Sequence, residues 1–219
     1  MADSAPSPRV LLVDDHEIYR AGLRGLLEEQ GIDIVGEAPN GEAALEIVEA
    51  KHPNVVIMDL NMPGISGIEA TRRITTLAPL TRVIMLTVSS TAPDITDAVL
   101  AGACGYLLKS ATTSEIVSGI AAATRGDALL SPSVAAKLLE RVREAPASPT
   151  APDPAQASLT KRELEVLRLL SSGMDNAEIG KTLFISPSTV KNHISSILLK
   201  LQIENRIQAA VYAVRSGLV

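Results

Sequence analysis

Along the first 125 residues of this 219-residue chain, short apolar runs alternate with segments of helical spacing. RVLLV (9–13), IDIVGE (32–37), VVIMD (55–59), RVIMLT (82–87) and GYLL (105–108) read as strands. Most are apolar throughout rather than alternating, as strands covered on both faces are. Between them, residues 16–30 place Ile18, Leu23, Leu26 and Leu27 at helical spacing, and 41–51 do so with Ala44, Leu45 and Val48. Further helices are expected over 66–77, near 93–101 and over 113–125. Strand–helix alternation with right-handed crossovers predicts an α/β doubly wound domain with a five-stranded parallel sheet.

The pattern then changes. SPSVAAKLLERVR (131–143) reads as a helix with Ser131 as its cap and Pro132 at the first helical position. Ala145–Ser158, APASPTAPDPAQAS, holds four prolines and no large apolar residue, so it reads as an extended linker. The last 61 residues carry no strand signal. LTKRELEVLRLLSSG, NAEIGKTLF, ISPSTVKNHISSILLKL and ENRIQAAVYAVRSG read as four short helices, the first opened by a Thr160/Glu163 capping box and the third by Ser186 and Pro187. Short helices with tight turns fit an all-α helix-turn-helix module. The expected domains are therefore 1–130, a connecting helix and linker over 131–158, and 159–219.

Composition narrows the function. There are only four aromatic residues (Tyr19, Tyr106, Phe184 and Tyr212), too few for a base-stacking platform. The lone Cys104 excludes a disulfide framework and a cysteine-based zinc site, and reads as a small core residue. No apolar run is long enough to span a membrane, and MADSAPSPRV lacks the features of a secretory signal, so a cytoplasmic protein without a membrane partner is expected. The net charge of −5 conceals an asymmetry: residues 1–130 sum to −8 and residues 131–219 to +3. Two domains with different partners are implied.

Ligands of open α/β sheets gather at the carboxyl ends of the strands. Here those ends bring Asp14-Asp15, Asp59, Thr87 and Lys109 to one edge. Clustered carboxylates repel and call for a cation, and hard oxygen donors suit Mg²⁺. A carboxylate in such a place can act as a nucleophile toward phosphorus, with Lys109 and Thr87 meeting the charge of the transferred group. Pro63 and Gly64 read as a tight turn beside the site.

VLLVDDHEIYRAGL, VVIMDLNMPGISGIEATRRI, VIMLTVSS and AGACGYLLK resemble the receiver domain of two-component response regulators over about 9–125. The resemblance implies a flavodoxin-like fold in which Asp59 is phosphorylated. It implies that Asp14, Asp15, Asp59 and the main-chain carbonyl of Asn61 hold Mg²⁺. Thr87 and Tyr106 correspond to a coupled switch pair, with Tyr106 following Thr87 inward, and Lys109 to the phosphate-contacting lysine. Val88 departs from the smaller residue common beside the switch hydroxyl.

In the C-terminal part, Leu164, Leu167, Leu170, Ile179, Leu183, Ile185, Val190, Ile194, Ile197 and Leu201 form an apolar skeleton. Val190, Ile194, Ile197 and Leu201 make one buried stripe along the third helix. The outward face near its start carries Ser188, Thr189, Lys191, Asn192 and Ser195, donors and acceptors able to reach bases or phosphates. His193 reads as a packing or phosphate-contacting residue. The stretch from Leu159 resembles the LuxR-type output domain of NarL/FixJ response regulators. Relatives of that kind often carry a basic residue at the position of Ser188 or Ser195, so pairing of two copies on DNA gains weight here.

The expectation is thus a transcription factor phosphorylated on Asp59 by a sensor histidine kinase, binding double-stranded DNA as a homodimer and losing the phosphoryl group slowly. Two other classes fit parts of the sequence. An aspartate-nucleophile phosphohydrolase is disfavoured by Asn61, where such enzymes place a second Asp. A ligand- or partner-controlled LuxR-type regulator is disfavoured by the Asp14/Asp15/Asp59/Lys109 set.

Overall fold

A computed structural model describes residues 7–127, 129–130, 134, 137–138, 140, 158–203 and 205–218. The chain divides into two compact units, Met1–Ala135 and Ala136–Val219.

In the first unit the elements run β1 (Arg9–Val13), α1 (Glu17–Glu29), β2 (Asp33–Ala38), α2 (Gly41–Lys51), β3 (Val55–Met58), α3 (Gly67–Leu77), β4 (Arg82–Thr87), α4 (Ala92–Leu100), β5 (Gly105–Leu108) and α5 (Thr113–Arg125). The sheet is wholly parallel, in the order β2-β1-β3-β4-β5. A two-residue strand absent from the sequence reading, β6 (Leu129–Leu130), extends it beyond β5. Gly126 closes α5 in the left-handed conformation (φ 80°), which a residue with a β-carbon adopts at a cost, and the chain then runs back alongside β5. The core joins Val10, Leu12, Leu23, Leu27, Ile57, Ile84, Leu86 and Ile120.

The helix expected over 16–30 forms as α1, but its four apolar residues do not all face inward. Leu23 and Leu27 are buried, but Ile18 is 90% exposed and Leu26 is 48% exposed. The inward stripe instead continues through Tyr19, one turn before Leu23, which packs on the same core. Ile18 lies about 100° around the helix from that stripe.

Val134, Lys137, Leu138 and Glu140 are helical, while the remainder of the connecting helix expected over 131–143, and the linker up to residue 157, lie outside the described residues.

The second unit contains α6 (Lys161–Ser171), α7 (Asn176–Leu183), α8 (Pro187–Leu201) and α9 (Arg206–Arg215). Its core combines Val166, Leu167, Leu170, Ile179, Val190, Ile194, Ile197 and Leu201 with Ala209 and Ala213 of α9. Leu164, Leu183 and Ile185 are only partly buried against it. Thr160 and Asp175 make capping boxes with Glu163 and Glu178, and Ser186 caps α8. The turn from α7 to α8 is tight: a β-carbon on Gly180 would stand 2.7 Å from the carbonyl oxygen of Ile185.

Candidate functional site

The site lies where β1, β3, β4 and β5 end. Strand pairing continues one residue past β3: the Asp59 N–H donates to the Val13 carbonyl at 2.8 Å, which brings Asp59 beside Asp14. Both side chains are buried. Carboxylate oxygens of Asp14, Asp15 and Asp59 and a ring nitrogen of His16 all lie within 4.8 Å of one another. Lys109 reaches across from the end of β5, with its Nζ 2.6 Å from Asp14 Oδ2 and 2.8 Å from Asp59 Oδ2. Burial acts to lower the pKa of the ammonium, but hydrogen bonds to Asp14 and Asp59 outweigh it and raise the pKa. Lys109 bridges Asp14 and Asp59 with a single positive charge, so the three carboxylates keep a net negative charge that a further cation can meet.

The surroundings fix these groups. Asp59 Oδ1 accepts from the Leu60 N–H at 2.7 Å. Asp14 Oδ1 accepts from the His16 N–H at 2.9 Å, and His16 Nδ1 stands 2.8 Å from Asp15 Oδ1. The Arg20 guanidinium donates to the Asp14 carbonyl and to Glu37 of β2. The Tyr19 ring lies under the Lys109 ammonium, 4.7 Å from Nζ to ring centroid. Burial raises the pKa of its phenol, partly opposed by Lys109. Tyr19, Arg20 and His16 escaped the sequence reading. The usable signal was position, since residues 19 and 20 sit one turn before Leu23 and thus face the strand ends.

Thr87 is fully buried, and its Oγ1 accepts from the Ser89 N–H at 3.3 Å. Its carbonyl accepts from the Lys109 N–H at 2.9 Å, tying the ends of β4 and β5 together. Tyr106 is 0% exposed and donates its hydroxyl to the Ser89 carbonyl at 3.1 Å. Tyr106 thus sits inward in this structure. Burial holds the phenol pKa well above its ordinary value. Ser89 Oγ in turn bonds Asp94 in the first turn of α4. Ser89 therefore stands between Thr87, Tyr106 and α4. Val88 is 75% exposed beside it. Asn61 is exposed in the loop leading to α3. Cys104 is buried, and that burial pushes its thiol up to about 11, so it is an unreactive core residue.

On the second unit, Ser188, Lys191, Asn192 and Ser195 are exposed along α8, while Thr189 and His193 are half-buried. Four hydroxyls are engaged locally: Ser186 Oγ lies 2.7 Å from Ser188 Oγ and 2.8 Å from Thr189 Oγ1, and Ser195 Oγ donates to the Lys191 carbonyl. The far end of the helix is anchored by Lys200, whose Nζ lies 2.7 Å from Oε2 and 2.9 Å from Oε1 of the buried Glu163.

No helix among the described residues is long and apolar enough to cross a membrane.

Comparison with known proteins matches two families in succession. Residues 10–121 match the response regulator receiver domain, and residues 157–213 match the bacterial regulatory proteins of the luxR family. The chain is 43% identical to the transcriptional regulatory protein LiaR of Bacillus subtilis (strain 168), over 96% of this chain and 99% of that protein. It is 38% identical to the response regulator UvrY of Escherichia coli (strain K12), over 95% and 94%. Among solved structures, the response regulator ChrA of a heme-sensing two-component system is 38% identical, with a TM-score of 0.54 covering 98% of this chain and all of that one. A structure of two RcsB dimers bound to two parallel DNAs is 27% identical, with a TM-score of 0.57 covering 96% and 99%. The acidic edge of a parallel sheet and the helical module that follows it in sequence thus belong together: the chain is a member of the NarL/FixJ family of two-component response regulators, joining a receiver domain to a LuxR-type DNA-binding domain.

Proposed function

We propose that Asp59 accepts a phosphoryl group from a sensor histidine kinase and that its phosphorylation controls dimerisation and DNA binding. The observation that carries this reading is the placement of Asp59: buried, within 4.8 Å of Asp14 and Asp15, and 2.8 Å from the Lys109 ammonium. One carboxylate oxygen of Asp59 attacks phosphorus. The new O–P bond forms as the donor's bond to phosphorus breaks, and the donor nitrogen keeps the electron pair. Lys109 then moves from carboxylate to phosphoryl oxygen, and the Thr87 hydroxyl donates to another. Slow loss of the group to water returns Asp59 to its carboxylate.

The donor set fits a hard divalent cation, since its oxygens come from carboxylates at one strand edge. Asp14, Asp15, Asp59 and the main-chain carbonyl of Asn61 would hold Mg²⁺. Bound there, the ion supplies neutralisation of phosphoryl charge.

Phosphorylation adds roughly −1.5 to −2 charge. Drawing Thr87 toward it removes the acceptor of the Ser89 N–H, and Ser89 also carries the Tyr106 and Asp94 contacts. Because Tyr106 already points inward, the segment at Ser89 is what moves, and α4 with it. The receiver, 1–130, then acts through the segment 131–158 on the DNA-binding domain, 159–219. That domain lays α8 in the major groove of double-stranded DNA, with Ser188, Thr189, Lys191, Asn192 and Ser195 facing it. The DNA-bound dimers of RcsB support a two-fold assembly.

The test is incubation of wild type and Asp59→Ala with acetyl phosphate and Mg²⁺, followed by a phosphate-affinity gel and selection of bound DNA from a random pool. A shifted band in wild type alone, with DNA selection strengthened by the donor, is expected. An undiminished band in the variant would overturn the assignment.

A further inference from the structure

We propose that Tyr19 is a positioning residue for phosphoryl acceptance, its ring face holding the Lys109 ammonium over the pocket while the carboxylate contacts change. The proposal rests on the reading of Asp59 as the acceptor.

Lys109 has three neighbours at its charged end: Asp14 and Asp59, at 2.6 and 2.8 Å, and the Tyr19 ring, 4.7 Å from Nζ to centroid. The lysine side chain is 12% exposed, so little water is present to take the place of a lost partner. Its backbone is fixed by the N–H bond to Thr87, but four methylenes separate that anchor from the charge. The two carboxylates hold the ammonium only in the resting site. On transfer, one oxygen of Asp59 becomes bonded to phosphorus and its negative charge passes outward to the phosphoryl oxygens. The Asp14 carboxylate would at the same time serve as a ligand of a divalent cation. Both ionic anchors therefore weaken in the step in which the ammonium must meet the incoming charge.

The ring face is different in kind. It attracts a cation through its quadrupole, takes no part in bond making, and has no preferred direction in its own plane. An ammonium over it can slide from carboxylate to phosphoryl oxygen without losing that attraction. Tyr19 is itself held in place, packed on the core below Leu23 and Leu27 in the inward stripe of α1. An aliphatic side chain there would cover the lysine without attracting it. The effect lies in the ring and not in the hydroxyl, so phenylalanine should serve and leucine should not.

The experiment uses full-length wild type, Tyr19→Phe, Tyr19→Leu and Tyr19→Met with acetyl phosphate and Mg²⁺, timing phosphoprotein formation. Tyr19→Phe should stay within about twofold of wild type, and Tyr19→Leu and Tyr19→Met should be slower by about three- to tenfold, the range expected for loss of one cation–π contact. A second readout needs no turnover. In protein carrying ¹³C-labelled lysine, the Lys109 ε-methylene protons should be shifted upfield by the ring in wild type and Tyr19→Phe, and return to ordinary positions in the other two variants. Wild-type rates in Tyr19→Leu or Tyr19→Met, slowing in Tyr19→Phe equal to theirs, or an unshifted Lys109 methylene in wild type would each overturn the proposal. Asp59→Ala separates the two readings. A phosphorylated Asp59→Ala would defeat the acceptor assignment whatever the ring-current shift shows.

Discussion

A β-carbon placed on Gly67 would stand 1.9 Å from the carbonyl oxygen of Asp59. The first residue of α3 is therefore packed directly on the Asp59 peptide, and its N–H donates to the Leu60 carbonyl at 2.9 Å. No side-chain rotation can relieve that clash, because the obstructing atom is backbone. Gly67→Ala should cost about 1–3 kcal/mol of receiver stability through forced displacement of the β3–α3 loop. It should also slow acceptance by Asp59, since the same displacement carries the carboxylate off its Lys109 contact. Urea unfolding and acetyl phosphate kinetics check both, and an unchanged stability with an unchanged rate would refute the coupling.

Tyr106→Phe separates transfer from response. The hydroxyl donates to the Ser89 carbonyl rather than to Asp59, so phosphorylation should proceed within about twofold of the wild-type rate. Stability should fall by about 0.5–1.5 kcal/mol for one lost hydrogen bond. The gain in DNA affinity on phosphorylation should shrink, because Ser89 loses one of the contacts that tie it to the switch. Gel-shift titrations with and without acetyl phosphate measure the gain. A full wild-type gain in the variant would remove Tyr106 from the relay.

Acid should loosen the second unit through Glu163. Burial acts to raise its pKa, but the Lys200 ammonium and the Thr160 amide and hydroxyl outweigh it, leaving the carboxyl below its ordinary 4.5. A depressed folded-state pKa contributes stability that is present above 4.5 and is lost as pH falls through the folded value. The urea midpoint of the second unit, followed by the methyl signals of Ile194 and Ile197, should drop between pH 6 and pH 3.5. Glu163→Gln should start about 1–2 kcal/mol lower at pH 6 and show a shallower fall. Parallel falls in the two proteins would remove Glu163 as the cause.

Much of this architecture is legible in the order of residues because parallel strands buried on both faces leave an uninterrupted apolar signature, as VVIM of β3 does. Convergence of Asp14, Asp59 and Lys109 was legible for a related reason: in a parallel sheet all carboxyl ends share an edge. Other features were not legible, for different reasons. A two-residue strand such as β6 is too short to carry any period. Helical spacing alone does not say which face of α1 is inward: Ile18 faces out, whereas the inward stripe includes Tyr19, an amphipathic side chain that a hydrophobic count undervalues. The inward seat of Tyr106 depends on the Ser89 carbonyl, a backbone group whose position no pattern of side chains reveals.

Two exposed residues of α8, Lys191 and Asn192, can act differently on DNA. Lys191 and Asn192 point away from the buried Val190, Ile194, Ile197 and Leu201 stripe. Ser188, Thr189 and Ser195 already engage their hydroxyls along the chain, so discrimination between bases falls mainly to this pair. A carboxamide can donate to and accept from the major-groove edge of adenine, while an ammonium can meet either guanine acceptors or phosphate. Asn192→Ala should therefore cost about 1–3 kcal/mol on the selected DNA and relax preference at one base position in each half-site. Lys191→Ala, if its partner is phosphate, should weaken selected and scrambled duplexes alike and lower the slope of log affinity against log salt by about one per contact. If its partner is guanine, the loss should appear on the selected duplex alone. Affinity measured at several salt concentrations on both duplexes distinguishes these outcomes. Wild-type affinity and preference in both folded variants would mean that α8 does not read DNA and that the module binds a protein instead.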